Sequence, residues 1–222
     1  MTEWILRGGE VVDGRGGPRR HADVAIAGDR VAAVGMVART EGAREIDVAG
    51  KIVAPGFIDV HTHDDRALFA APDMAAKASQ GVTTVVTGNC GVSLAPLLLD
   101  RAPPPPLDLI GDTSDYHYGR FADYLAALDQ APAALNAACL VGHSTLRVGA
   151  MSALDRPAEQ AELAQMGERL QEALDAGAVG LSSGLAYAPA SHAPAAEIAA
   201  LAALLRPAGA LYTTHMLSLI HI

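Results

Sequence analysis

Pro55-Gly56-Phe57-Ile58-Asp59-Val60-His61-Thr62-His63-Asp64-Asp65 is the stretch whose reading decides the fold. Pro-Gly marks a turn, Phe57 to Val60 reads as a buried strand, and polar residues close it. Side chains alternate faces along a strand, so His61 and His63 point one way and Thr62 the other. Two imidazoles on one face at a strand end suit a divalent metal, and they equally suit ordinary turn hydrogen bonds. Asp64 and Asp65 would either orient these histidines or cap the turn.

Downstream the chain alternates strand and helix, which implies a parallel sheet with crossover helices. A helix over Asp73 to Gln80 stops at Gly81, and Val82 to Thr87 is a strand made of β-branched residues. That strand runs into Gly88-Asn89-Cys90-Gly91. Ser93 to about Tyr118 lacks a periodic pattern and includes a run of four consecutive prolines, Pro103 to Pro106. It reads either as a lid or binding loop or as a passive surface insertion. Phe121, Tyr124, Leu125 and Leu128 return to helical spacing.

A third strand, Ala137 to Val141, ends at Gly142-His143-Ser144-Thr145. Pro157 is expected in the first turn of the next helix, whose apolar stripe is Leu163, Met166, Leu170 and Leu174 and whose stop is Gly177. Ala178 to Leu181 ends at Ser182-Ser183-Gly184. Pro194 opens a helix carrying Ile198, Leu201 and Leu205, and Ala210 to Thr213 ends at Thr214-His215-Met216. Each strand thus ends in a polar or glycine-rich cluster. In a (β/α)8 barrel those ends share one face, where His61, His63, Cys90, His143 and His215 would converge. An open doubly wound sheet would spread them along an edge.

Upstream, residues 1–55 read as all-β. Trp4 to Arg7 and Glu10 to Asp13 form strands on either side of Gly8-Gly9, and two more strands flank the turn Gly28-Asp29. About 50 residues is thin for an independent core, so this is expected to be part of a small β-sandwich domain.

Composition bounds the function. Of 222 residues half are hydrophobic and 18% charged, with mean hydropathy +0.22, which describes a compact folded chain and excludes a disordered one. A net charge of −9 argues against nucleic acid as a partner. No apolar run approaches the ~20 residues of a membrane span, and the start Met1-Thr2-Glu3-Trp4 has no signal-peptide character. Two cysteines, Cys90 and Cys139, make no disulfide framework, so a reducing cytoplasm is expected.

Gly50 through His63 resembles the metal-binding opening of the amidohydrolase superfamily. Within that group, Gly88-Asn89-Cys90-Gly91, Gly142 to Arg147, Gly180 to Tyr187 and Thr214-His215-Met216 resemble the N-acyl-D-amino-acid deacylases. The resemblance runs over residues 1–216. It implies a partial TIM-type (β/α)8 hydrolase barrel over 56–216, containing the first five strands, preceded by the β-sandwich portion. It implies one or two zinc ions, with His61 and His63 at one position and Cys90, as thiolate, with His215 at the tightly held one. The implied reaction is hydrolysis of the amide of a small N-acyl-D-amino acid, releasing a carboxylate and a D-amino acid. Tyr187 would line the substrate pocket or serve structure, and His143 would pack behind the ligands or touch substrate. Cys139, mid-strand, is expected in the core, and His21, His117, His192 and His221 at the surface.

The chain also departs from that pattern. The family's later strands, a further metal-binding histidine and the general-base aspartate have no counterpart in this sequence, and residues 217–222 read as foreign to the family. The expectation is an inactive, poorly soluble fragment with bare edges on the first and fifth barrel strands. A cyclic-amide hydrolase of the hydantoinase or dihydroorotase type is the rival enzyme. It would need a bridging carboxylated lysine, and no lysine follows Lys77. A non-catalytic metal-binding module is the alternative of another class.

Overall fold

The computed structural model describes residues 2–216, so the 217–222 tail with His221 lies outside the described residues. The chain divides into two compact units between Gly56 and Phe57.

The first unit is one sheet. Its strands are β1 (Trp4–Val11), β2 (Arg20–Ala27), β3 (Arg30–Gly35), β4 (Arg44–Asp47) and β5 (Ile52–Val53). The order is β3-β2-β1-β4, with β5 also on β1. Glycines 8 and 9, expected to separate two strands, instead lie inside β1. Its register with β2 shifts between Leu6 and Gly9, and Gly8 takes φ +72°. The glycine pair is therefore a bulge, which absorbs an extra residue without ending the strand. Gly28, at φ +57°, makes the β2–β3 turn as expected.

The second unit holds a curled parallel sheet. Its strands are β6 (Phe57–Asp59), β7 (Val82–Thr87), β10 (Asn136–Gly142), β11 (Gly180–Ser183) and β12 (Leu211–Thr214), paired in chain order. All four pairings are parallel, the arrangement of half a (β/α)8 barrel. Between these strands run α1 (Ala67–Ala70), α2 (Ala75–Ala78), α3 (Phe121–Gln130), α4 (His143–Ala150), α5 (Gln160–Ala176), α6 (Ala195–Ala202) and α7 (Leu205–Ala208). The core joins Cys139 and Val141 of β10 and Leu181 of β11 to Tyr124 of α3, Leu146 of α4, Met166, Leu170 and Ala173 of α5 and Leu201 of α6.

Several expectations need correction. β6 is not buried: Phe57, Ile58 and Val60 are 61–67% exposed. Among the described residues β6 pairs only with β7, and β12 only with β11. Both are sheet edges. The Ser93 to Tyr118 stretch is neither a structureless loop nor a passive insertion. Leu97–Leu98 (β8) pairs antiparallel with His117–Tyr118 (β9), and Leu94, Leu97, Leu107, Ile110 and Tyr116 are buried in the main core. Pro157 lies outside α5. That helix begins after Glu159, which forms a reciprocal capping box with Glu162 and so satisfies the first free amides of the helix. Pro194 likewise precedes α6 as its N-cap residue. Helix α4 was not expected at all.

Candidate metal centre

Three strand ends bring their chemistry together. His61 and His63 follow β6 directly, ring centroids 5.8 Å apart. Thr62 between them turns inward, is buried, and donates its hydroxyl to the Val86 carbonyl at 3.0 Å. The alternation expected of a strand therefore persists past its last ladder bond. Lys77 lies between Asp59 at 2.6 Å and Asp64 at 3.1 Å, so Asp64 is engaged by lysine and orients neither histidine. Asp65 is buried and accepts the Gly88 amide at 3.2 Å. It ties the His-Thr-His segment to the loop after β7. Burial pushes the Asp65 carboxyl up to about 7 against those amide bonds.

The loop after β7 is shaped by glycine. Gly88 and Gly91 take φ +74° and +78°, and Cys90 between them takes +55°. A side chain on Gly88 would meet the Leu140 carbonyl oxygen at 2.1 Å, and one on Gly184 the Cys90 carbonyl oxygen at 2.3 Å. One on Gly142 would meet Gly91 at 2.5 Å. The glycines that punctuate the three motifs are thus points where backbones touch. Ser182 locks the loop: its hydroxyl accepts the Gly91 amide at 2.9 Å and donates to the Gly88 carbonyl. A non-glycine residue held left-handed costs of order 1–3 kcal/mol and persists where the surroundings over-determine it. Here they aim the Cys90 thiol.

That thiol faces the imidazoles. His61 Nε2 lies 3.0 Å from Cys90 Sγ, and His215 Nδ1 lies 3.4 Å from it. Candidate ligand atoms of His61, His63 and Cys90 all fall within 4.8 Å of one another. His215 is set by its own amide, which donates to the Ser183 carbonyl at 2.8 Å. The Tyr187 hydroxyl sits 3.3 Å from His215 Nδ1. Burial, then the charge of His61, lowers the His63 pKa and favours its neutral, ligating form. Burial pushes the Cys90 thiol up, a tendency that a bound cation reverses. Imidazole nitrogens and one sulfur, converging without an intervening carboxylate, are a donor set that zinc accepts. A cavity of about 430 Å³ lined by His63, Arg66, Ala70, Leu109 and Asp112 opens beside the cluster.

The family model for amidohydrolases matches residues 44–217. The chain belongs to the amidohydrolase family. It is 50% identical over 212 residues to a D-aminoacylase of Alcaligenes xylosoxydans xylosoxydans, covering 96% of this chain and 44% of the relative. It is 51% identical over 217 residues to an N-acyl-D-aspartate deacylase of the same organism, covering 97% and 43%. A solved N-acyl-D-glutamate deacylase of Bordetella bronchiseptica, complexed with zinc and a phosphonate inhibitor, superposes with TM-score 0.91 at 44% identity, covering 97% of this chain and 45% of the other. The chain therefore spans under half the length of the curated relatives it matches. As an amidohydrolase-family chain it shares their half-barrel.

The site residues read from sequence do not all meet. His61, His63, Cys90, His215 and Tyr187 do. His143 does not: it opens α4, is fully buried, and places Nε2 2.8 Å from Glu197 Oε1. It has no free surface to offer a substrate. Cys139 is in the core as expected. Sequence reading missed Ser182, Arg147 and Glu197. Glu197 did leave a signal, a charged residue one turn before Leu201 on the apolar face of α6.

Proposed function

We propose that this chain forms the metal-holding wall of a zinc-dependent N-acyl-D-amino-acid deacylase. His61 and His63 hold one position, Cys90 and His215 the other, with one or two ions bound. The carrying observation is the convergence of two imidazoles and a thiol within 4.8 Å at adjacent strand ends. The relatives' names, D-aminoacylase and N-acyl-D-aspartate deacylase, support the substrate class, a small N-acyl-D-amino acid. When bound, zinc would polarise the amide carbonyl and lower the pKa of water toward ~7. This chain's residues do the holding. The glycine-walled loop fixes Cys90, Asp65 and Ser182 fix that loop, and Tyr187 presents its hydroxyl beside His215. No residue of the chain is assigned as general base. Residues 1–55 are taken as part of a β-sandwich and 56–216 as part of the barrel. Among the described residues no helix is long and apolar enough to cross a membrane. Both cysteines are free, which fits a cytoplasmic setting.

Metal analysis tests the ligand set. Cys90→Ala is expected to weaken zinc binding by more than the ~10–100-fold that loss of an outer partner costs, and full retention of zinc refutes the assignment. A protein of the relatives' full length carrying this chain is expected to hydrolyse N-acetyl-D-methionine and spare the L enantiomer. Preference for the L substrate refutes the activity.

A further inference from the structure

His143, Arg147 and Glu197 are at most 3% exposed, and among the described residues none hydrogen-bonds a candidate ligand. Arg147 uses its whole guanidinium. Nη1 donates to both Glu197 oxygens at 2.6 and 2.7 Å. Nη2 reaches the Arg156 carbonyl at 2.7 Å and that of Leu154 at 3.3 Å. Nε reaches the Pro189 carbonyl at 2.6 Å. Glu197 in turn accepts the Ala158 amide at 3.2 Å and meets His143 Nε2 at 2.8 Å. One buried ion pair thus gathers α4, α6, the turn at 154–158 and the segment between β11 and α6.

That last segment carries Tyr187. Leu185, Ala186 and Ala188 are exposed, so they give it little apolar anchorage. Its fixed points are its ends. Tyr187 donates its amide to Gly184 at 3.2 Å, and Ala190 donates to Tyr187 at 2.9 Å. Pro189, inside that second turn, is held by Arg147. Among the described residues this is the one side-chain hydrogen bond from outside the segment to the backbone of 185–193. We infer that Arg147 and Glu197, braced by His143, form a buried clamp that positions Tyr187 against Cys90 and His215. These are positioning residues, acting through the backbone at Pro189. The inference rests on the metal-site reading only for what Tyr187 faces.

Hydrogen exchange by mass spectrometry on the chain tests it. Arg147→Lys keeps a positive charge for Glu197 and removes the Nε–H that reaches Pro189. Amides in 187–193 are expected to exchange on the order of ten-fold faster, the loss of about one hydrogen bond. Nitration of Tyr187 should quicken, with zinc content unchanged and with α5 and β7 protected as before. Unchanged exchange at 187–193 overturns the clamp, and so does an equal rise across α5 and β7, which marks a purely structural role. The unaltered chain provides a test that needs no variant. The amides of Ala158 and Ala190 should open as one unit with a common guanidinium dependence, and separate openings overturn the proposal. Zinc content reports on the ligand reading alone: a chain that binds no zinc yet opens at 158 and 190 together refutes the ligands and upholds the clamp.

Discussion

Arg7 in the first unit bridges Asp23 at 2.8 Å and Glu45 at 2.7 Å, with 24% of its side chain exposed. Arg147 in the second unit reaches Glu197 at 2.6 Å with none exposed. The contact lengths match and the surroundings do not. Near solvent, screening and the entropy of two long side chains cancel most of the attraction. In the core the ions have lost their hydration, so each depends on the other and on every remaining hydrogen bond. Arg147 has those bonds, to Pro189, Leu154 and Arg156. The surface cluster trims a small sheet, whereas the buried one holds several segments at the strand ends in a single geometry.

Removing one partner of the buried pair should show the largest effect. Arg147→Ala is expected to destabilise the second unit by ~3–5 kcal/mol, because it strands the Glu197 carboxylate. Urea unfolding measures this, and a loss under about 1 kcal/mol would erase the contrast with a surface pair.

Acid should act next most strongly. Burial pushes the Glu197 carboxyl up, but hydrogen bonds from His143 and Arg147 and the Arg147 charge outweigh it and hold the group at about 2. An unfolded glutamate titrates near ~4.3. A depressed folded pKa stabilises above the unfolded value and loses that contribution as pH falls toward the folded one. The second unit should therefore lose roughly 2–3 kcal/mol between about pH 4.5 and 2. Glu197→Gln should lack this component of the acid profile, and an identical profile in that variant would contradict the pairing.

Arg7→Ala should do least. Its unfolding midpoint is expected to stay near that of the unaltered chain, and 1 M salt should narrow whatever difference exists. A large salt-resistant loss would show that exposure is the wrong basis for the comparison.

What was readable in the linear chain, and what was not, follows the same division. The β-branched run Val82 to Thr87 is β7 to the residue, because a strand with this composition has few other places to pack. The stripe Met166 and Leu170 is fully buried on α5. Helix α4 escaped detection because His143, Ser144, Thr145 and Arg147 are buried along with Leu146 and Val148. A helix that buries polar residues on several sides shows no 3.6-residue apolar rhythm. The exposed β6 reads as buried because Phe57 and Ile58 are apolar, whereas its edge position is a property of the sheet.

Local chemistry, written in residue order, was enough to identify strands, helices, the His-Thr-His pair and a cysteine flanked by glycines, since alternation and backbone freedom act over a few residues. Only the fold decided that Cys90 meets His61 and His215, residues 29 and 125 positions away. It alone showed that Gly142 and Gly184 are small because the Cys90 loop presses on them, and that His143 belongs to Glu197. Those facts are distances between segments far apart in the chain, set by which strand lies beside which.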